Sequence, residues 1–386
     1  MSRPTADGER LTNRELNRAL LARQGLLTRL ELPVVEAVES IGALQAQYWP
    51  AVQVALWSRV HDFQAEKLYG ALEAGELVVG SLLRRTLHLI SARQHPVYSA
   101  VVEAAGGNEW QRTSAEAPAE MRRLRTALDE YARSGPRTSE DLVAFIEGWI
   151  TRHQPALAEA ELQHQRTYRW RPMLTSSWLV RVPAGGHWGG SRTPAAYRAA
   201  PSPSPGPWPS ADGALESIIR SHLGAFGPAA PDDVAAWIAF RVPPVRAGLE
   251  RLGSELLRFR DDADRVLYDI PAAPRPGADP VAPPRFLSRF DSVLLAYASR
   301  HRSRILPDAY RELVYVRANL QVLATFLVDG LVAGTWSVEA QRRRAILSLR
   351  PFERLSRNVR AGLEEEGDRL MRQTHPQASA REVVIS

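Results

Sequence analysis

Two proline-rich stretches constrain the fold of this chain more than any other feature of its sequence. They are APSPSPGPWPSADG at 200–213 and PAAPRPGADPVAPPR at 271–285, and a weaker break is SAEAPAE at 114–120. Proline lacks a backbone donor and fixes φ, so neither long stretch can form a regular element, and both are typical of linkers. Because 386 residues are also too many for one small core, we expect four segments: 10–112, 120–198, 213–270 and 286–375.

The segment 213–270 shows the clearest order of elements. GALESIIRSHLGAFGP predicts an amphipathic helix ended by Gly and Pro, PDDVAAWIAF a second helix with an acidic first turn, and PPVRAGLERLG a third. LLRFRDDADRVLYDI predicts two alternating strands around an acidic turn. Three helices followed by a hairpin indicate a winged helix.

The two preceding segments repeat this order more loosely. In 120–198, helices are predicted in MRRLRTALDEYARSGP, TSEDLVAFIEGWI and LAEAELQHQ, before a strand and turn in SSWLVRVPAGGHWG. In 10–112, helices are predicted in NRELNRALLARQGL, LPVVEAVESIG and EKLYGALEAGE, before strand material in VVGSLLRRTLHLIS. We interpret both as further winged-helix modules.

The last segment, 286–375, is rich in β-prone runs. RFLSRFDSVLLAYASRHRSRIL, VLATFLVDGLVAGTWSVE and RAILSLRPF alternate around Val-Asp-Gly, which is a strong hairpin signal. A helix is predicted in LSRNVRAGLEEEGDRLMRQ, and the terminal ASAREVVIS is expected to be frayed. The predicted fold class is therefore α+β, with tandem winged-helix modules and a β-rich C-terminal segment.

The charge of the chain favours an anionic partner. Lys and Arg number 49 against 43 Asp and Glu, the formal charge is +6, and Lys67 is the only lysine. Guanidinium groups bind phosphates in a bidentate fashion and stay charged, so a chain of pI ≈ 9.9 is typical of a nucleic-acid-binding protein. The alternative is that arginine reflects a GC-rich genome and marks no binding surface.

Several other function classes are excluded by what the sequence lacks. No apolar run reaches the ~18 residues of a membrane span, MSRPTADGERLTNREL lacks the apolar core of a secretory signal, and cysteine is absent. We therefore expect a cytoplasmic monomer. The nine histidines show no HExxH or comparable metal-binding spacing, so we expect no metal or other cofactor. The phosphate-binding motif GxxxxGK[ST] is also absent, so we do not expect nucleotide hydrolysis.

Two glutamines, Gln45 and Gln47, stand between Gly42 and Pro50. Residues i and i+2 lie about 200° apart on a helix but share one face of an extended segment, so the pair can converge only outside a helix. Gly42 can close the helix before the pair, and Pro50 fits the first turn of the next one. The predicted loop presents both amides to one space. Taken alone, such glutamines are ordinary surface residues.

Three sequence blocks carry a family resemblance. IGALQAQYWPAVQVALWSRV (41–60), LLRRTLHLISARQHP (82–96), and RFLSRFDSVLLAYASRHRSRIL followed by TFLVDGLVAGTW resemble, in order and spacing, the AlkZ/YcaQ-like winged-helix DNA glycosylases. The similarity runs from about residue 10 to 375. Gln45-Ala46-Gln47 has the Gln-x-Gln form of the AlkZ-like branch, whereas the YcaQ-like branch carries Asp second. Arg85 departs from the family, which commonly has Gly before the Thr.

The resemblance implies an enzyme that excises alkylated bases from duplex DNA. The expected lesions are N7-guanine or N3-adenine adducts, crosslinked ones included, and the expected role is DNA repair or self-resistance to a DNA-alkylating natural product. Gln45 and Gln47 are the implied catalytic residues. The expected DNA-contacting residues are Arg84, Arg85, Thr86, His88 and Trp49.

Other interpretations of these residues stay open at the level of sequence. A histidine among apolar neighbours is often a satisfied core residue, and an arginine pair is often a solvated face. A lyase that cuts the strand needs an amine for a Schiff base, and only Lys67 or the N-terminus offers one, so we expect a monofunctional enzyme. The alternative function is a non-catalytic winged-helix DNA-binding regulator, which would release no base.

Overall fold

The computed structural model describes residues 8–105, 118–153, 163, 177–184, 188, 195–201, 209–341 and 343–386. Apart from Gln163, the helix predicted in LAEAELQHQ lies outside the described residues, and so do residues 202–208 of the first proline-rich stretch. Helices and strands both occur throughout, and the α+β fold class is confirmed.

The strands are labelled here in chain order. They are β1 Glu9–Leu11, β2 Leu44–Gln45, β3 Leu77–Ser81, β4 Leu87–Ser91, β5 Arg137–Thr138, β6 Leu179–Pro183, β7 Ala195–Ala199, β8 Leu257–Asp261, β9 Val266–Asp269, β10 Arg285–Leu287, β11 Tyr315–Val316, β12 Gln321–Val322, β13 Thr325–Val328, β14 Leu331–Gln341, β15 Arg344–Pro351 and β16 Ala380–Ile385.

The α-helices are identified by their ranges. They are Asn13–Arg23, Val34–Ile41, Trp49–Arg59, Ala65–Glu73, His95–Ala104, Pro118–Arg133, Ser139–His153, Ala211–Phe226, Pro231–Ile238, Val242–Leu252, Ser292–Leu295, Arg311–Val314 and Arg357–Thr374. Short 3-10 turns lie at Leu83–Arg85, Gly253–Glu255, Ser299–Arg304, Asp308–Tyr310 and Arg317–Asn319.

The chain forms two compact units. The first contains Met1–Lys67 and Ile219–Ser386, and the second contains Leu68–Ile218. The predicted segment 10–112 therefore contributes to both units. The division into winged-helix modules remains a proposal, although 213–270 has the predicted elements: three helices, then antiparallel β8 and β9. Strand β1 adds to β8 in parallel.

The first unit also contains a sheet with the order β10-β13-β14-β15-β16. The predicted Asp-Gly turn is confirmed, because Asp329 and Gly330, both with positive φ of 43° and 83°, join β13 to β14. The expectation of a frayed C-terminus was wrong. Residues 380–385 pair in parallel with β15, and this long-range pairing has no signal in the local sequence.

The prediction of β-prone structure in RFLSRFDSVLLAYASRHRSRIL also needs correction. Only Arg285–Leu287 is a strand, and Ser292–Leu295 is a short helix. Its N-cap is Asp291, whose carboxylate accepts a hydrogen bond from the Val293 amide at 3.2 Å. Capping by Asp therefore outweighs the β-propensity of the apolar residues that follow.

Buried ion pairs tie the N-terminal helices of this unit to its C-terminal part. Arg23 donates from both terminal nitrogens to the Asp269 carboxylate, each at 2.7 Å. Arg59 donates to both oxygens of Asp291, at 2.6 and 3.1 Å. All four side chains are at most 1% exposed. These contacts join residues more than 200 positions apart.

The second proline-rich stretch contains no regular element before Arg285, as predicted, but it is not a loose linker. Three arginines of the helix Asn13–Arg23 donate to its carbonyl oxygens. Arg14 bonds Ala278 O at 2.9 Å, Arg18 bonds Pro280 O at 2.6 Å, and Arg23 bonds Pro274 O at 3.2 Å. The prolines donate no hydrogen bonds, but their carbonyls still accept them.

The second unit has strands hydrogen bonded in the order β4-β3-β6-β7-β5. The helices Pro118–Arg133 and Ser139–His153 pack on it through Leu124, Leu128 and Trp149, all buried. Across the described residues of both units, no helix is long and apolar enough to cross a membrane.

Candidate active site

The loop that carries Gln45 and Gln47 forms as its flanking residues predict. The helix Val34–Ile41 ends at Gly42, which has a φ of 81°. A Cβ there would lie 3.0 Å from the Phe226 ring, so both conformation and space favour glycine. The next helix begins at Trp49, with Pro50 in its first turn.

The two glutamine side chains converge, as their i, i+2 spacing predicts. Gln45 Nε2 donates to Gln47 Oε1 at 2.5 Å. Gln45 is 9% exposed, whereas Gln47 lies in a bend and is exposed. An amide carbonyl has two lone pairs and an amide nitrogen has two donors. Gln47 therefore has capacity to bind a water or a sugar oxygen while it holds Gln45.

A buried polar network fixes the backbone around the pair. Gln24 Nε2 donates to Ile41 O and to Ala225 O, both at 2.9 Å. Ser292 Oγ donates to Ala43 O at 3.0 Å. These bonds satisfy carbonyls on the N-terminal side of the glutamines. Sequence reasoning missed Gln24 and Ser292, because neither has a local signal: Ser292 lies 249 positions from Ala43.

Gln24 is itself held by the buried Arg59–Asp291 pair. Arg59 Nε donates to Gln24 Oε1 at 3.2 Å, and Arg59 also binds Asp291. The residue after Asp291 is Ser292, which bonds the loop. The ion pair and the glutamine loop thus share one network, which makes Arg59 and Asp291 candidate positioning residues.

The aromatic residues beside the pair differ in their exposure. Trp49, the expected stacking residue, is 7% exposed and offers little ring surface, whereas Tyr48 is 40% exposed. The Arg289 guanidinium lies 5.5 Å from the centre of the Tyr48 ring, which is a cation–π distance. Tyr48 is therefore the accessible ring next to Gln47, and stacking by Trp49 remains a prediction.

The remaining predicted residues lie in the second unit. The predicted strand LLRRTLHLIS is wrong in its first half, because Leu83–Arg85 is a 3-10 turn and β4 begins at Leu87. Arg84 and Arg85 both have left-handed backbone, with φ of 53° and 55°. This conformation favours glycine, which fits the Gly that the family resemblance leads us to expect at position 85.

His88 is a satisfied buried residue. It is fully buried, and its Nδ1 lies 2.8 Å from Thr86 O while its Nε2 lies 3.3 Å from an Arg84 nitrogen. Arginine can only donate, so Nε2 accepts and Nδ1–H donates to Thr86. Burial, with a contribution from the Arg84 charge, lowers the pKa of His88 to about 3. His88 is therefore neutral near pH 7 and orients Arg84 and the turn.

Exposure separates the residues around this turn. Arg85 is exposed, Arg84 is half-buried, and Thr86 Oγ1 donates to Leu83 O at 3.1 Å.

Sequence reasoning also missed the basic run Gln-Arg-Arg-Arg at 341–344. Its described members Arg343 and Arg344 are exposed where β14 and β15 meet. Three consecutive basic residues would have been the signal.

One group among the described side chains has the spacing of a metal site: Asp232, Asp233 and His301. His301 Nε2 accepts from Arg300 Nε at 3.0 Å, so its Nδ1–H donates to Asp233 at 2.8 Å. Asp232 binds Arg300 at 2.6 Å. Arginine and peptide donors thus occupy this cluster, and we interpret it as an ion-pair network.

Comparison with known proteins identifies the family of this chain. Residues 38–373 match the family model "DNA glycosylase AlkZ-like". A curated protein of Streptomyces sahachiroi, named interstrand DNA cross-link repair glycosylase, is 22% identical over 363 residues, which cover 91% of this chain and 94% of that protein. The solved structure of Streptomyces sahachiroi DNA glycosylase AlkZ superposes with a TM-score of 0.77 and 21% identity, covering 98% of this chain and 100% of that one.

The structural likeness concerns the fold, and the family match identifies the class. The protein is a DNA glycosylase, an enzyme that hydrolyses N-glycosyl bonds. Within that class the chain belongs to the AlkZ-like family, because the family model covers most of its length.

Proposed function

We propose that the protein is a monofunctional glycosylase that excises N7-alkylguanine or N3-alkyladenine, crosslinked lesions included, from duplex DNA. The observation that carries this proposal is the hydrogen-bonded Gln45–Gln47 pair at the exposed end of a buried network. The similar Streptomyces protein, named for interstrand cross-link repair, supports the inclusion of crosslinks. The proposed setting is the cytoplasm, where a monomer serves DNA repair or self-resistance to an alkylating natural product.

The chemistry asks little of the enzyme at the base and more at the sugar. Alkylation at N7 of guanine or N3 of adenine makes the base cationic, so it leaves as a neutral molecule without a general acid. The sugar C1′ then gains oxocarbenium character and must be met by water. An amide is too weak a base to deprotonate that water in advance, but its carbonyl orients the water and its dipole stabilises the cationic sugar.

In this proposal the two glutamines do different parts of this work. Gln45 is nearly buried and donates to Gln47, so it fixes the orientation of the Gln47 amide. Gln47 is exposed and retains a lone pair for the water. In this proposal the neutral His88 supplies no proton and positions Arg84, while Arg84, Arg85 and Thr86 act at the DNA backbone.

Base release without strand cleavage is the experiment that tests this function. With an N7-methylguanine duplex we expect free 7-methylguanine and an intact strand that contains an abasic site. Borohydride should trap no covalent adduct, since the only lysine, Lys67, is exposed on the helix Ala65–Glu73. Tight binding without any base release would instead favour the non-catalytic regulator. A borohydride adduct lost in Lys67→Ala would overturn the monofunctional assignment.

Affinity for undamaged duplex should fall steeply with salt. Each phosphate contact by an arginine contributes about −0.9 to the slope of log affinity against log salt. Replacing the exposed Arg85 by alanine should therefore make the slope shallower by about 0.9. Arg372→Ala is the control, because this exposed arginine already binds Asp368. A wild-type slope near zero would show that the basic composition marks no DNA-binding surface.

A further inference from the structure

A cleft of about 650 Å³ opens next to the glutamine loop, within the first unit. Tyr48, the residue after Gln47, lines it, and so do residues of the helix Trp49–Arg59 and of the strands β14 and β15. The cleft is thus lined by the residue that directly follows the proposed catalytic pair in the sequence. The proposed mechanism makes no use of it.

One wall of the cleft is the indole of Trp336, and it is fixed in place. Its Nε1–H donates to Leu287 O and Thr325 O, both at 3.0 Å. Its ring packs edge-to-face against Phe286, with centroids 5.9 Å apart. The remaining, half-buried surface of the ring is therefore presented in one orientation. A fixed aromatic wall binds a flat ring at a low cost in entropy.

Tyr48 is braced at the end of the cleft that lies next to Gln47. Arg289 lies over the Tyr48 ring and is itself held by a 2.8 Å hydrogen bond to Gln321 Oε1. Both Tyr48 and Arg289 line the cleft. A partly exposed ring backed by a fixed guanidinium is suited to stack on a planar group.

The charge of the lining excludes one class of ligand. Arg289 and Arg350 line the cleft, and none of the described lining residues is Asp or Glu. His375 also lines it, and burial together with the Arg381 charge lowers the pKa of that imidazole. The cationic alkylated base is therefore a poor fit, whereas a neutral or anionic group fits.

The volume points to a large group. A cleft of about 650 Å³ lies within the roughly 300–1,000 Å³ range of sites for drug-sized molecules, and a single methyl group would leave it almost empty. We infer that the cleft is a subsite for a flat, neutral or anionic aromatic group carried by a bulky alkyl adduct, while Gln45 and Gln47 act on the sugar. This inference rests on the proposed function.

Two duplexes that differ only in the adduct test this subsite. One contains N7-methylguanine and the other N7-(pyren-1-ylmethyl)guanine. In Val338→Trp a large ring enters the cleft from a half-buried position on β14, two residues from Trp336 and on the same face of the strand. The ratio of single-turnover excision rates, pyrenylmethyl to methyl, should fall about tenfold or more, which is the size of one lost stacking contact. Val281→Trp, at a position 81% exposed and outside the lining, is the control and should keep the wild-type ratio.

Tyr48 gives a matched pair of variants for the same ratio. Tyr48→Ala removes the ring and should lower the ratio, whereas Tyr48→Phe keeps the ring and should restore it. Equal ratios in wild type, Val338→Trp and Tyr48→Ala would overturn the subsite.

A binding measurement separates the subsite from catalysis. Equilibrium dialysis of 1-pyrenemethanol against the full-length protein should show binding that Val338→Trp weakens about tenfold. Binding that is absent in wild type, or unchanged in Val338→Trp, contradicts the inference. If wild type releases neither base, the proposed function fails, and the dialysis result still decides whether the cleft takes an aromatic group.

Discussion

Replacing Gln45 or Gln47 by alanine should slow base excision by about 10²- to 10⁴-fold, which is the contribution of positioned polar groups to such steps. The affinity for the same duplex should change little, since neither amide carries charge. Because Gln45 donates to Gln47, both act on one water, and the double variant should be little slower than the poorer single variant. The measurement is the single-turnover rate on one defined N7-alkylguanine duplex, alongside affinity.

Two further variants sharpen this result. Gln47→Asp keeps an oxygen acceptor at this position and supplies a true base, so excision of N7-alkylguanine should persist. Gln64→Ala is the matched control and should behave as wild type, because Gln64 is an exposed glutamine in the loop after the helix Trp49–Arg59. Wild-type rates in both Gln45→Ala and Gln47→Ala would show that the pair is structural and that its catalytic assignment is wrong.

Asp291→Ala should destabilise the protein by about 3–5 kcal/mol, because it leaves the buried Arg59 charge without its partner. Both side chains of the pair are fully buried, and an Arg59 guanidinium nitrogen lies 2.6 Å from a carboxylate oxygen of Asp291. The measurement is the shift of the urea midpoint. Removal of an exposed pair is the control: Glu255→Ala frees Arg220, whose side chain is 41% exposed, and should cost about 1 kcal/mol or less.

A double replacement distinguishes an ion pair from generic packing. Arg59→Met combined with Asp291→Leu removes both charges and keeps apolar volume, so it should recover much of the stability lost in Asp291→Ala. It also removes the bond from Arg59 to Gln24, so excision should stay slower than wild type even where folding recovers. If Asp291→Ala shifts the midpoint no more than Glu255→Ala, the pair does not hold the two parts of this unit together.

Local sequence was sufficient for many of the helices and for the position of the glutamine loop. Gly42 and Pro50 bound that loop through backbone preferences that need no tertiary contact, and the Asp329-Gly330 turn follows from the same kind of preference. The alternation of Gln45 and Gln47 predicted their convergence, which the hydrogen bond between them confirms. Family membership also followed from three short blocks, because their order and spacing are preserved along the chain.

Tertiary structure decided everything that depends on burial or on distant partners. The sequence treats Tyr48 and Trp49 as neighbouring aromatic residues, and only packing buries Trp49 and leaves Tyr48 in the cleft. His88 could have been a DNA contact or a core residue, and its bonds to Thr86 and Arg84 use both ring nitrogens. The bonds from Ser292 to Ala43 and from Arg59 to Asp291 join residues more than 200 positions apart. Such contacts follow from the three-dimensional path of the chain, since hydrogen bonding and desolvation depend on distance in space and leave no periodic pattern in the sequence.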